Sequence, residues 1–122
     1  MKNYRTGIVG TTHLNSHLFA LNTAPRVELV AAVAQTEAEK EQFGASGIPT
    51  IYSNYEEMFA NEDLDIVELD TDPTQRYEIT LVAAERGIHV LGEKPIAASL
   101  EHADEMVSAC NQAGVVLAIH NL

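Results

Sequence analysis

The sequence is poor in cysteine, in basic residues and in long apolar runs. Its one cysteine, Cys110, excludes an intrachain disulfide and fits a reducing cytoplasm, which is the expected compartment. Only 7 lysines and arginines stand against 18 aspartates and glutamates, and the net charge of -11 argues against nucleic acid or an anionic membrane as partner. No run approaches the roughly 20 apolar residues of a membrane span, and the N-terminus lacks the features of a signal peptide.

What is present suffices for one globular domain. The chain has 122 residues, of which 46% are hydrophobic, and a domain of that size buries about two-thirds of its surface on folding. No repeat, low-complexity segment or linker divides it, so residues 1–122 are predicted to form a single domain. The acidity does not exclude an anionic ligand, because backbone N–H groups at a helix start bind phosphate without basic side chains.

Short apolar blocks alternate with longer helical patterns along the whole chain. This alternation predicts an α/β fold, a doubly wound and mostly parallel six-stranded Rossmann sheet with helices on both faces. Right-handed crossovers favour the strand order 3-2-1-4-5-6. The predicted strands span residues 7–9, 27–33, 50–52, 65–69, 88–91 and 115–119.

Polar residues precede each of the four later helical patterns and predict where those helices begin. These predicted N-caps are Thr36, Ser53, Asp72 and Ser99. The last helix is predicted to bury an apolar stripe made of Leu100, Ala103, Val107 and Cys110.

The turn after the first predicted strand is the candidate cofactor site, because ligands of doubly wound sheets bind where the strand order reverses. A dinucleotide fingerprint would read G-x-G-x-x-G from Gly10, but Thr12 and Asn15 replace its second and third glycines. Thr12 narrows the approach to a pyrophosphate, and Asn15 is expected to add bulk between helix and strand. Thr11, Thr12 and the N–H groups around His13 can still cradle phosphate. A plain strand-to-helix turn is the alternative.

The end of the second predicted strand does not distinguish NAD from NADP. Gln35 and Thr36 can hydrogen-bond a ribose, but neither selects between the two cofactors, and Glu37 is more typical of a first helical turn. NAD or NADP is therefore the expected cofactor, with the preference open.

A later run of residues is more specific. Glu93-Lys94-Pro95 directly follows the fifth predicted strand, with residues 65–67, 73–79 and 83–87 upstream and 103–107 downstream. This run resembles the Gfo/Idh/MocA family (glucose–fructose oxidoreductase, inositol dehydrogenase and rhizopine catabolism). The resemblance covers the whole chain, but only the cofactor half of a family member. It implies an NAD(P)-binding Rossmann domain, with the second, substrate domain absent here.

The same resemblance implies hydride transfer on a sugar, a polyol or a related small carbonyl compound. Lys94 would be the catalytic residue, polarising the reacting oxygen beside the nicotinamide, and Glu93 would help position it. A solvated lysine before Pro95 is the alternative, and the Lys94–Pro95 bond is predicted to be cis. The full set of predicted cofactor-binding residues is Gly10, Thr11, Thr12, His13, Leu14, Gln35, Thr71, Glu93 and Lys94.

The fourth predicted strand departs from the family pattern. Arg76 stands where the family has a His, and Glu68 falls inside a strand that should be covered on both faces. Glu68 would have to reach a partner or the end of the sheet, or be protonated. Asp70 could accept from a ribose hydroxyl or pair with Arg76. These acids should weaken the binding of an anionic pyrophosphate by repulsion between like charges.

No metal site is predicted, because His13 and His17 lie on another element and no spacing ties them to the acids. His120-Asn121, at the end of the sixth predicted strand, either lines the site or simply ends the strand.

Two functions compete. The first is the cofactor domain of an oxidoreductase, inactive alone and able to meet a small-molecule substrate only with a second domain. The alternative is a non-catalytic Rossmann module with a decayed or altered site, used for assembly or ligand sensing. Apolar surface expected around the sixth strand predicts a homodimer or swapped oligomer.

Overall fold

The computed structural model describes residues 2–120 as a six-stranded sheet with helices on both faces. The strands are β1 (Tyr4–Val9), β2 (Val27–Val33), β3 (Thr50–Tyr52), β4 (Ile66–Leu69), β5 (His89–Gly92) and β6 (Leu117–Ile119). The helices are α1 (Leu14–Thr23), α2 (Glu37–Ala45), α3 (Tyr55–Asn61), α4 (Pro73–Glu85) and α5 (Leu100–Ala113).

All neighbouring strands pair in parallel, in the order β3-β2-β1-β4-β5-β6. The predicted fold class and strand order are therefore confirmed. Among residues 2–120, no helix combines the length and the apolar character that crossing a membrane requires.

Two apolar cores lie on opposite faces of the sheet. Ile8 packs with Leu14 and Phe43 beneath α1 and α2, whereas its neighbour Val9 packs with Met58 beneath α3 and α4. Successive strand residues point to opposite faces, so one central strand contributes to both cores. This double coverage explains why the ends of β1, β2 and β4 are continuously buried.

Helix capping agrees with the sequence at three of the four predicted positions. The side chains of Thr36, Asp72 and Ser99 each accept a hydrogen bond from the N–H three residues later. The prediction at Ser53 is wrong: Asn54 is the N-cap of α3, and its amide oxygen accepts from the Glu57 N–H at 2.8 Å. Serine and asparagine are equally good caps, so the sequence alone cannot choose between these neighbours.

The predicted apolar stripe of α5 is also wrong in part. Leu100 and Val107 are exposed by 79% and 44%, whereas Met106 and Cys110 are buried against the neighbouring structure. Met106 and Val107 are adjacent and both apolar, so helical periodicity is compatible with either one. Packing of α5 against α4 selects Met106.

Candidate functional site

The site lies where the strand order reverses, between the ends of β1 and β4. Gly10 follows β1 with a positive φ of 94°, and a Cβ atom there would collide with the main-chain carbonyl of Asp70. A glycine is required for both reasons, since other residues rarely adopt this conformation and would also strike β4. The close approach brings the start of α1 against the end of β4.

The Asp70 side chain, which follows β4, contacts the N-terminus of α1. The His13 N–H donates to Asp70 Oδ2 at 2.6 Å, and His13 Nδ1 lies 3.0 Å from Asp70 Oδ1. The acid therefore pairs with His13 rather than with Arg76, and it takes up one of the N–H groups predicted to bind phosphate. The prediction that Asn15 adds bulk between helix and strand is wrong, because Asn15 is exposed and Leu14 is the buried residue.

Two cavities border α2 beside this turn. The first, of about 540 Å³, is lined by residues 11–16 of the turn and α1 together with Gln42, Ala45 and Ser46. The second, of about 370 Å³, lies beyond the ends of β2 and β3, and its lining includes Gln35, Thr36 and Lys40. Their position along the carboxyl edge fits an elongated dinucleotide, with the pyrophosphate at the α1 N-terminus.

Arg76 joins the ends of β4 and β5. Only 2% exposed, it donates from its guanidinium to the main-chain carbonyls of Thr71 and Pro95. Gly92 makes room for it, because a Cβ there would lie 3.0 Å from Arg76 Cδ. Burial lowers the pKa of Arg76, against the opposing effect of nearby carboxylates, the Glu93 charge being the largest.

The loop that Arg76 holds carries the predicted catalytic lysine. Lys94 is exposed, and its peptide bond to Pro95 is cis, as predicted. The Thr71 hydroxyl is buried, without a hydrogen-bond partner among the described residues 2–120.

A second group of side chains, which sequence reasoning did not assemble, lies directly beneath the turn. We call it the His–carboxylate cluster; it consists of His13, His17, Glu68, Asp70, Glu93 and His120. Within it, His17 Nε2 lies 2.7 Å from Glu93 Oε1 and 3.7 Å from Asp70 Oδ1. The other ring nitrogen, Nδ1, contacts the Glu68 carboxylate, which His120 Nε2 also approaches at 3.2 Å.

The Glu68 carboxylate, although it lies within β4, therefore contacts two imidazoles, those of His17 and His120. Although no sequence spacing connects the histidines with the acids, the fold brings α1, β4 and β5 together at one edge. The available signal was topological: α1 starts at the end of β1, and β1 neighbours β4. Asn121, predicted beside His120, lies outside the described residues.

The cluster shifts the pKa values of His17 and Asp70 in opposite directions. Burial opposes a charge on His17, but the Asp70 and Glu93 carboxylates outweigh it and raise the pKa of the imidazole. Burial likewise opposes ionisation of Asp70, but the nearby His17 and the hydrogen bonds from His13 outweigh it and lower the pKa of the carboxyl. Both groups are therefore stabilised in their charged forms.

A doubly wound sheet of this order, with a glycine turn and cavities along its carboxyl edge, defines the class of dinucleotide-binding domains. Residues 4–121 match the family model GFO_IDH_MocA, the oxidoreductase family with an NAD-binding Rossmann fold, and the chain belongs to this family. The predicted resemblance is confirmed, and the domain is an NAD-binding Rossmann domain.

Two of the similar proteins are sugar dehydrogenases by name. D-xylose 1-dehydrogenase (NADP(+)) 2 of Haloferax volcanii is 32% identical over 117 residues, which cover 91% of this chain and 35% of the relative. D-apiose dehydrogenase of Paraburkholderia graminis is 30% identical over 122 residues, covering 98% and 32%. The chain thus spans about a third of the length of these curated relatives.

Solved structures of dehydrogenases have the same fold. The WlbA dehydrogenase of Bordetella pertussis, in complex with NADH and UDP-GlcNAcA, superposes with a TM-score of 0.88 at 29% identity, covering 98% of this chain and 35% of that one. The myo-inositol 2-dehydrogenase of Lactobacillus plantarum gives 0.87 at 27% identity, covering 98% and 36%.

Proposed function

We propose that this chain binds NAD or NADP along its carboxyl edge and serves as the cofactor domain of an oxidoreductase acting on a sugar, a polyol or a related small carbonyl compound. The observation that carries the proposal is the positive-φ turn at Gly10, which leads into the α1 N-terminus beside two cavities. The relatives named for xylose and apiose support the substrate class.

In this proposal the α1 dipole and the backbone around Thr11 and Thr12 bind the pyrophosphate, beside Leu14, whose N–H donates to the Thr11 carbonyl at 3.2 Å. Gln35, at the mouth of the second cavity, hydrogen-bonds a ribose. Thr71, at the end of β4, offers its buried hydroxyl to the dinucleotide. The bound dinucleotide would supply the hydride acceptor or donor.

Lys94 acts on the substrate. Its ammonium is exposed at the carboxyl edge of β5, where it can polarise a hydroxyl or carbonyl oxygen. Glu93, buried directly before it, fixes the start of the loop, and the bonds from Arg76 fix its far side. We propose that the chain has no turnover by itself.

Calorimetry with NAD⁺, NADH, NADP⁺ and NADPH at millimolar concentration tests the cofactor proposal. Binding of at least one dinucleotide is expected, and Thr12→Gly should strengthen it by opening the approach to the pyrophosphate. The matched control is Ser46→Gly, which alters the far wall of the same cavity without touching the turn. Absence of heat with all four dinucleotides would contradict the proposal.

The non-catalytic module stays as a second candidate because Asp70 already occupies the His13 N–H at the α1 N-terminus. Asp70→Asn and Thr12→Gly together discriminate the two functions. A cofactor domain should gain dinucleotide affinity from both changes, since they remove repulsion and bulk. A module with another purpose should bind no dinucleotide in either variant.

We also propose that the chain forms a homodimer or swapped oligomer. An apolar groove of about 350 Å³ crosses the β4–β6 half of one sheet face, and Val116 beside it is 61% exposed. A second copy covering this face would remove apolar surface from water. Light scattering should give a dimer mass that Val116→Lys abolishes and that Phe19→Lys, on the exposed side of α1, preserves. A monomeric wild type would refute this association.

We also propose a cytoplasmic location for the protein, and cell fractionation tests it.

A further inference from the structure

We propose that the His–carboxylate cluster binds one divalent transition-metal ion, of the Zn²⁺ and Co²⁺ type, through His13, His17, Asp70 and Glu93. This site goes beyond the proposed cofactor function and is independent of it. It involves one ligand atom from each of four side chains, all within 4.8 Å of one another.

The distances between the ligand atoms suit a tetrahedral ion. Metal–ligand bonds of about 2.1 Å at tetrahedral angles place neighbouring ligand atoms about 3.4 Å apart. The four histidine-to-carboxylate distances are 2.7 and 3.7 Å from His17 Nε2, and 3.0 and 4.0 Å from His13 Nδ1. They bracket that separation, and all the ligand atoms lie within 4.8 Å of one another, so an ion can enter after small side-chain adjustments.

The orientation of His17 is that of a metal ligand. Its Nδ1 contacts the Glu68 carboxylate, an acceptor that holds the proton on this nitrogen. When a metal ion is bound, the lone pair is on Nε2, which is buried, has no hydrogen-bond partner among residues 2–120 and faces two carboxylates. These carboxylates favour a cation at Nε2, which is a proton in the metal-free chain and the metal ion in the bound form. An outer carboxylate that orients a ligating histidine is the usual support of a metal site.

Burial gives a second, independent reason for a cation. Glu68, Asp70 and Glu93 are only 1%, 2% and 8% exposed, and buried carboxylates need compensating charge. The permanent cation buried beside them is Arg76, whose guanidinium donates to two main-chain carbonyls instead of to the carboxylates. A divalent ion would neutralise the acids directly.

The ligand set selects the kind of metal. Two imidazole nitrogens and two carboxylate oxygens suit Zn²⁺, Co²⁺ and similar ions, whereas Ca²⁺ and Mg²⁺ prefer oxygen ligands alone. The His13 side chain is 53% exposed, so the ion has an entry path from solvent on that side.

Cobalt absorption and zinc calorimetry on the metal-stripped chain test the site, without any dinucleotide present. One Co²⁺ per chain should give the intense visible bands of tetrahedral coordination, and Zn²⁺ should displace it. His13→Gln and His17→Gln should each abolish the bands. Because the His13 side chain is 53% exposed, its replacement should leave the fold intact, and circular dichroism checks the fold of both variants. Glu68→Gln should lower Zn²⁺ affinity by about 10- to 100-fold, as expected for an orienting group.

His102→Gln is the matched control, because this imidazole stacks on Tyr77 away from the cluster. It should leave the cobalt bands and the zinc affinity unchanged. The site would be overturned by a wild-type chain without stoichiometric Co²⁺ bands, or by equal losses in His102→Gln and His13→Gln. It would also be overturned by ¹⁵N shifts showing both His17 nitrogens protonated in saturating Zn²⁺, since a proton rather than a metal would then hold the cluster together. None of these results depends on dinucleotide binding.

Discussion

Replacement of Arg76 by methionine tests whether this side chain holds the two loops of the site together. Methionine fills most of the same volume but has no donors, so the carbonyls of Thr71 and Pro95 lose their hydrogen bonds. The surrounding carboxylates also lose the buried cation beside them. Arg76→Met should therefore destabilise the fold and loosen the loop that carries Lys94.

The expected magnitude follows from the two lost bonds. A buried acceptor left without a donor costs about 1–3 kcal/mol, and these two part-buried carbonyls should lie towards the lower end of that range. Removing the guanidinium also removes the cost of burying its charge, which offsets part of that loss. We expect a net loss of about 2–4 kcal/mol, a large fraction of the roughly 5–15 kcal/mol that stabilises a domain.

Urea unfolding followed by far-ultraviolet circular dichroism measures this loss. Arg86→Met is the matched control, since it removes an arginine from the end of the same helix, where the guanidinium makes only a long contact of 3.4 Å with the Phe59 carbonyl. The control should change the stability by less than about 0.5 kcal/mol. A similarly small change for Arg76→Met would show that the buried guanidinium does not brace the loops.

Three further predictions follow from single contacts. Asn54→Ala should cost about 0.5–2 kcal/mol in urea unfolding and Ser53→Ala almost nothing, and the reverse order would contradict the observed cap. Hydrogen bonding by Lys2 lowers the pKa of Asp65, so the carboxylate stabilises the fold above its ordinary pKa of 3.8 and loses this effect as the pH falls through the lower folded value. The difference in urea midpoint between wild type and Asp65→Asn should accordingly shrink below about pH 4, and a constant difference would refute the linkage. Lys40→Ala should weaken NADPH binding by about twofold to fivefold while sparing NADH, as for an exposed ion pair with the 2′-phosphate; equal effects on both would contradict this role.

The sequence predicted the architecture well because the apolar runs of the strands and the turn residues that bound them are both local signals. The apolar run of β2 is continuous and bounded by turns, and its predicted bounds are those observed. By contrast, β1 begins at Tyr4 rather than Gly7, because Tyr4, Arg5 and Thr6 give no apolar run. These residues join the strand through pairing with β2, which is a tertiary effect.

The site was predicted only where one local motif defines it. The Gly10 turn is readable because a glycine after a strand has a known conformational use. The environment of His17 cannot be predicted from the local sequence, because its partners Glu68 and Glu93 lie far along the chain, in β4 and directly after β5. Which helix face meets which strand end depends on the register of the whole sheet, and periodicity carries no information about it.

The central position of β1 has a consequence for synthesis. The second neighbour of this strand, β4, is synthesised only after α1, β2, α2, β3 and α3 have followed β1. Until Ile66–Leu69 emerges, one edge of the nascent sheet is open, and an open edge in a growing chain can pair with other chains. The acidic character of the chain, with its net charge of -11, would keep neighbouring nascent chains apart during that interval.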